Sequence, residues 1–339
     1  MKRLIDQHAG RFRIAYSISG VALEQFEAYV PEVIEVFKAL ADSGCVEFLA
    51  ETYHHSIACL YSEQEFREQV EMHRQRIKSL FGQDPTTFRN TELIYSDHIA
   101  QITQRMGYDT ILAEGADHVL GDRSPNHVYR PAGLLSGRLL LKNHRLSDDI
   151  AFRFSNRSSP RWPVTPEKFA GWVSQIEGHG ECCNLFMDYE TFGEHQWAET
   201  GIFDFLEKLP GTLLSAGHEF VTPSALSKLE PLGGELAVEH PTSWADTERD
   251  LSAWIGNAMQ SNALHELYKL EPSLKARGDT DLLRDWRRLQ SSDHFYYMCT
   301  KYFSDGDVHK YFSPYESPYD SYINFMNVVD NIQTRLGGL

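Results

Sequence analysis

The chain has 339 residues, 42% of them hydrophobic, and a formal charge of −16. That length and apolar content fit one large or two ordinary globular domains and argue against a disordered chain. The acidic excess argues against a nucleic-acid groove or an anionic membrane surface as partner and suits a neutral substrate.

The five cysteines, Cys45, Cys59, Cys182, Cys183 and Cys299, are odd in number and form no C-x-x-C pair. This reads as free thiols in a reducing compartment. No run is long and apolar enough to span a bilayer, and residues 1–10 are polar, without the apolar stretch of a signal peptide. The expectation is a cytoplasmic protein.

In chain order, residues 12–17 read as a strand, followed by Gly20 and a helix over about 23–41. Residues 46–51 form a second strand with a polar tip of Glu51, Thr52, Tyr53, His54 and His55. The pattern predicts a helix over 63–81 closed by Gly82, a third strand over 86–92, a helix over 97–106 closed by Gly107, and a fourth strand over 110–113 ending at Glu114. Strand, polar tip and helix recur with short connections. That predicts an α/β fold with a parallel sheet rolled into a barrel.

Residues 115–165 break this rhythm, with only 139–141 looking extended, and a long insertion in a barrel usually sits on its functional face. A helix is expected over 166–176, a central strand over 183–188, a helix over 198–209 and a last strand over 212–215. From about residue 242 three helices are expected, over 246–270, 281–303 and 318–336. Residues 1–240 are therefore read as the barrel and 241–339 as a helical subdomain, with Gly233, Gly234 and Pro241 in the linker.

Acidic groups recur at the strand tips: Glu51, Glu92, Glu114, and the pair Asp188 and Glu190, which strand alternation would point the same way. Two carboxylates at a strand end repel one another unless something uses them. The neighbouring Tyr189, Phe192 and Trp197 suit a flat, hydroxylated ligand such as a sugar. Glycoside cleavage needs such a carboxylate pair, one to attack the anomeric carbon and one to protonate the leaving oxygen. The bland alternatives are a salt bridge from Glu92 to Arg89 and a helix cap at Asp188. His54 and His55 should face opposite ways on the strand end, with His55 toward the site.

The segments Phe88-Arg89-Asn90-Thr91-Glu92-Leu93-Ile94-Tyr95 and Phe186-Met187-Asp188-Tyr189-Glu190-Thr191-Phe192-Gly193 resemble the third and fourth conserved regions of glycoside hydrolase family 57. Leu49-Ala50-Glu51-Thr52-Tyr53-His54-His55-Ser56 resembles the second region and Gln290-Ser291-Ser292-Asp293-His294-Phe295-Tyr296 the fifth. The His-Gln-Pro of the first region has no counterpart, so by this pattern the chain starts just before the family's second strand.

The resemblance implies an incomplete (β/α)7 barrel with a C-terminal helical bundle, and a retaining mechanism on α-glucans that needs no cofactor or metal. It implies Glu92 as nucleophile and Asp188 as general acid/base, with carboxyl groups about 5–5.5 Å apart. It points to Arg145, Trp244 and Asp293 as sugar contacts. Glu190 and His195 would tune Asp188, and Trp197 would stack on a sugar face. The expected activity is that of an α-amylase on an α-glucan or maltooligosaccharide. Rival readings are a 4-α-glucanotransferase or branching enzyme, a glucan-binding protein without turnover, and a metal-dependent deacetylase or mannosidase.

Overall fold

The computed structural model describes residues 1–301 and 313–337. Parallel strands follow one another in space in chain order: β1 (Ile14–Tyr16), β2 (Val46–Phe48), β3 (Thr87–Arg89), β4 (Thr110–Glu114) and, past the two-residue β5 (Arg130–Pro131), β6 (Arg138–Lys142). A parallel bridge from Ala50 to Phe88 joins β2 to β3, and another from Lys142 to Asn184 carries the row beyond β6. β5 pairs instead with β7 (Glu235–Leu236). Parallel neighbours need crossovers, and helices supply them. After a short first helix, α1 (Lys2–Gln7), ahead of β1, these are α2 (Gly20–Tyr29) and α3 (Pro31–Asp42) after β1, α4 (Glu63–Phe81) after β2, and α5 (Asp97–Arg105) after β3.

Helix α4 shows how local sequence sets these bounds. The Ser62 hydroxyl accepts from the Glu65 amide, Glu63 and Glu65 sit in the first turn, and Gly82 ends the helix with a left-handed φ of 69°. All five residues of β4 are buried, as expected for a strand covered on both faces. Leu49, Leu112 and Leu140 pack with Phe186 and Trp244 on one face. On the other, Phe88, Ile111, Leu139 and Leu141 share a core with Phe66 and Ile99 and with Trp254, Leu264, Trp286 and Phe295 from the C-terminal helices.

Several expectations are corrected. The helix expected over 23–41 is two helices, because Pro31 starts α3 at its first turn. Residues 212–215 are no strand: they complete a helix from Ile202 to Ser215 that runs through Pro210, with Phe205, Leu209 and Leu213 on its buried side. Residues 183–188 form no regular strand. Asn184 alone bridges to Lys142, and the Phe186 amide donates to the Ser147 hydroxyl instead of a ladder partner. Asp188 and Glu190 consequently do not alternate as on a strand, since Tyr189–Thr191 is a tight 3-10 turn.

The insertion over 115–165 holds β5, β6 and a helix from His144 to Ala151. The first C-terminal helix starts at Ser252, not 246, and breaks before Ala258–Lys269. The second divides into Thr280–Arg288 and Ser292–Tyr296, while the part of that expectation beyond residue 301 lies outside the described residues. The last spans Pro318–Gly337.

Candidate active site

The tips of β2 and β3 turn sharply. His55 has a φ of 50°, and Glu92 sits at φ 57°, ψ 23° inside the turn Thr91–Leu93. Non-glycine residues in this left-handed region cost about 1–3 kcal/mol each and need surrounding structure to hold them. The C-terminal part of the chain supplies it. The Ser292 amide donates to the His55 carbonyl at 2.9 Å, and the Trp244 amide to the Glu92 carbonyl at 3.2 Å. Between the two tips, the Thr52 and Thr91 hydroxyls share a hydrogen bond of 2.7 Å.

The same two donors reach the Glu92 carboxylate. The Ser292 hydroxyl donates to Oε1 at 3.1 Å and the Trp244 indole N–H to Oε2 at 2.7 Å. His55 Nε2 lies 3.2 Å from Oε1, and its Nδ1 lies 3.1 Å from Glu51 Oε2. Glu51, with a side chain 1% exposed, also accepts from the Ser17 hydroxyl at 2.6 Å. One imidazole thus spans two carboxylates, an arrangement that requires both ring nitrogens to donate.

The electrostatics follow from these contacts. Burial alone would raise the Glu92 carboxyl, but the hydrogen bond and charge of His55, the Trp244 N–H and the charge of Arg89 outweigh it and hold it at about 2. Glu51 is opposed by burial in the same way and is held at about 2 by His55, His73 and Arg89. Burial would lower His55, yet its two carboxylate partners push it up to about 10. Asp188 behaves oppositely to Glu92. Burial first, then the negative charges of Glu190 and Glu92, raise it to about 6 against Arg89 and His195. Glu92 therefore stays ionised while Asp188 keeps its proton in mild acid.

A second charged cluster flanks this one. Lys142 lies 3.6 Å from Glu114 and 3.4 Å from Asp148, and Arg249 lies 3.5 Å and 3.4 Å from the same two acids. Lys142 and Arg89 both sit over the Trp244 ring, at 5.2 Å and 4.9 Å. Among the described residues, no group of three or more His, Cys, Asp or Glu is placed to hold a metal ion.

The remaining expected site residues scatter. Glu190 and His195 act on Asp188 through their charges. Trp197 is 59% exposed beside them. Arg145 is largely exposed and pairs with Asp117 at 3.5 Å. Asp293 is exposed and accepts from the Ser291 hydroxyl, while its neighbour Ser292 reaches Glu92. Glu51, Ser17, Arg89 and Ser292 were not among the site residues expected from sequence, although Glu51 was noted as a strand-tip acid and Arg89 as a salt-bridge partner for Glu92. Glu51 had a signal, as an acid at a strand tip four residues before His55, and Ser292 lies inside the segment that resembles the family's fifth region.

A hollow of about 460 Å³ beside the Tyr189–Thr191 turn is walled by Tyr189, Glu190, Phe192 and Phe203. A larger groove of about 800 Å³ along α4, lined by Tyr53, Glu68, Met72 and Arg287 among others, does not include the carboxylates above. Chemistry and not volume locates the site.

The profile of glycosyl hydrolase family 57 matches residues 1–237. The chain belongs to that family. It is also 43% identical over 339 residues to a Methanocaldococcus jannaschii protein named "Putative alpha-amylase", covering 96% of this chain and 71% of that one.

Among solved structures it resembles the 4-alpha-glucanotransferase of Thermococcus litoralis, with a TM-score of 0.68, 14% identity and coverage of 87% of this chain. It spans 51% of that enzyme, about half its length. It resembles a family 57 branching enzyme of Thermococcus kodakaraensis with a TM-score of 0.65 and 15% identity, covering 93% of this chain and 70% of that one. These likenesses carry the fold, the incomplete (β/α)7 barrel of family 57 enzymes.

Proposed function

We propose that the chain is a retaining glycoside hydrolase acting on α-1,4-glucans, with Glu92 as nucleophile and Asp188 as general acid/base. The observation that carries this reading is the opposite displacement of the two carboxyls, Glu92 held at about 2 and Asp188 raised to about 6 in part by the charge of Glu92.

In the first step an oxygen of ionised Glu92 attacks the anomeric carbon, the glycosidic C–O bond breaks, and Asp188 gives its proton to the departing oxygen. Three of the roughly four acceptor sites of the Glu92 carboxylate are occupied, by His55, Ser292 and Trp244, which leaves one on Oε2 for attack. As Glu92 becomes an ester its charge disappears, and one cause of the raised Asp188 pKa disappears with it. Asp188 becomes a weaker proton holder when it must act as base. It then takes a proton from water, whose oxygen attacks the anomeric carbon and releases Glu92. His55 keeps its charge throughout, because Glu51 still pairs with it.

His55 and Trp244 bind Glu92, and Glu190 and His195 act on Asp188 through their charges; we assign these four, with Trp197, to substrate binding or tuning. Arg145 and Asp293 join them only as sugar contacts further out. We read 1–240 as the catalytic barrel and 241–339 as the part that completes the site. Five free thiols and the absence, among the described residues, of a helix long and apolar enough to cross a membrane are consistent with a cytoplasmic enzyme.

The test is proton NMR of a fresh maltooligosaccharide digest. An α-anomer formed first supports the reading, and a β-anomer formed first overturns it. The same intermediate serves a 4-α-glucanotransferase or branching enzyme if a sugar hydroxyl replaces water. Chain-length scrambling without gain of reducing ends would mark that outcome.

A further inference from the structure

The four buried charges beside Trp244 have no part in the two chemical steps. Glu114 comes from the end of β4, Lys142 from the end of β6, Asp148 from the helix that follows, and Arg249 from the loop that carries Trp244. Their side chains are 0%, 5%, 12% and 17% exposed. Each cation touches both acids, so the signs alternate round the ring. Such a ring is costly to bury and is unstable once a member is removed, which makes it a poor source of stability but a firm geometric reference.

Arg249 does more than close the ring. Its Nη1 donates to the carbonyl of Trp244. Its own carbonyl accepts from the Ser243 amide at 3.1 Å, and the Ser243 hydroxyl donates to the Asp250 carbonyl at 2.6 Å. Asp246 and Arg249 both have left-handed φ, 55° and 53°, so the loop is a tight and strained one. The carbonyl held by Arg249 belongs to the residue whose amide and indole N–H both bind Glu92.

We propose that Arg249 is a positioning residue for the reaction: clamped between Glu114 and Asp148, it fixes the backbone of Trp244 and thereby the hold of the indole on Glu92. The inference rests on the reading of Glu92 as the reacting carboxylate. A planar guanidinium serves two carboxylates and a carbonyl through a fixed fork of donors, whereas an ammonium is a compact charge on a flexible stem that fixes no such geometry.

The test follows the Trp244 indole N–H by NMR of 15N-tryptophan-labelled full-length protein without substrate, assigned by its loss in Trp244→Phe. Steady-state rates on maltooligosaccharides are measured in parallel. Arg249→Met should move or broaden that resonance and lower kcat by about tenfold or more, with KM changed less than about threefold. Arg249→Lys keeps a cation in the ring and should fall between; it also guards against a Met variant that fails to fold, which melting and circular dichroism would reveal.

An indole resonance and a kcat unchanged in both variants overturn the inference. If the resonance stays put while Glu92→Gln is inactive, the positioning role fails and the assignment of Glu92 stands. If the resonance moves while Glu92→Gln remains active, the positioning of Trp244 stands and the assignment of Glu92 fails.

Discussion

Trp244 holds Glu92 twice, by its backbone N–H on the Glu92 carbonyl at 3.2 Å and by its indole N–H on the carboxylate at 2.7 Å. The first contact fixes a left-handed backbone, and the second helps keep the carboxyl ionised. One residue from the far part of the chain therefore contributes to both the backbone geometry and the charge at the proposed nucleophile.

Trp244→Phe keeps a ring beneath Arg89 and Lys142 and removes only the indole donor. A hydrogen bond to an ionised acceptor is worth about 1.5–3 kcal/mol, so kcat should fall roughly ten- to a hundredfold. The Glu92 pKa should rise, moving the acid limb of the rate profile upward. Rates measured from pH 2 to pH 7 check both effects.

The two carboxyl values predict a profile set by ionised Glu92 and protonated Asp188. kcat/KM should fall above about 6 as Asp188 loses its proton and fall below about 2 as Glu92 gains one. Glu190→Gln removes one of the charges that raise Asp188 and should shift the upper limb to lower pH. An optimum well above neutrality would contradict the assignment.

His55 carries a stability prediction. Its folded pKa, about 10, exceeds the ordinary 6.5, so the stabilisation from its carboxylate partners is fully present below about pH 6.5 and is lost as pH rises through about 10. Glu51 and Glu92 have depressed values, so their share is present above about 4.5 and is lost as pH falls through about 2. His55→Ala leaves two facing carboxylates without their shared cation and should cost about 3–5 kcal/mol at pH 7. Denaturant melts across this pH range check the sign as well as the size.

Asp188→Asn should separate the two proposed roles. A substrate that leaves as an alkoxide needs the proton and should lose about 10²–10⁴ in rate, the usual span for general acid catalysis. α-Maltosyl fluoride, whose leaving group needs no proton, should lose far less in the first step. Equal losses on both substrates would remove Asp188 from the acid role.

Much of the fold was legible because strand tips and helix stops are local. Gly82 closes α4, and β3 ends in polar residues that lead to Glu92. Residues 183–188 were not, because side-chain hydrogen bonds hold their apolar run in place of a regular ladder: the Asn184 amide donates to the Leu141 carbonyl, and the Ser147 hydroxyl accepts from the Phe186 N–H. Residues 212–215 misled because Pro210-Gly211 looks like a stop, yet the buried spacing of Leu209 and Leu213 carries the helix on. At the site, His55 was legible from its strand end. The hydrogen bonds from Trp244 and Ser292 span 152 and 200 positions, and no local pattern marks contacts of that range. Asp293, which the resemblance marks as a sugar contact, is exposed, and it is its neighbour Ser292 whose hydroxyl reaches Glu92.

The most direct measurement is mass spectrometry of proteolytic fragments after the protein is incubated with 5-fluoro-α-glucosyl fluoride. A covalent glycosyl ester on the peptide containing Glu92, lost in Glu92→Gln, is the predicted result. An ester on another carboxylate, or turnover of maltooligosaccharides by Glu92→Gln at the parent rate, would contradict the account.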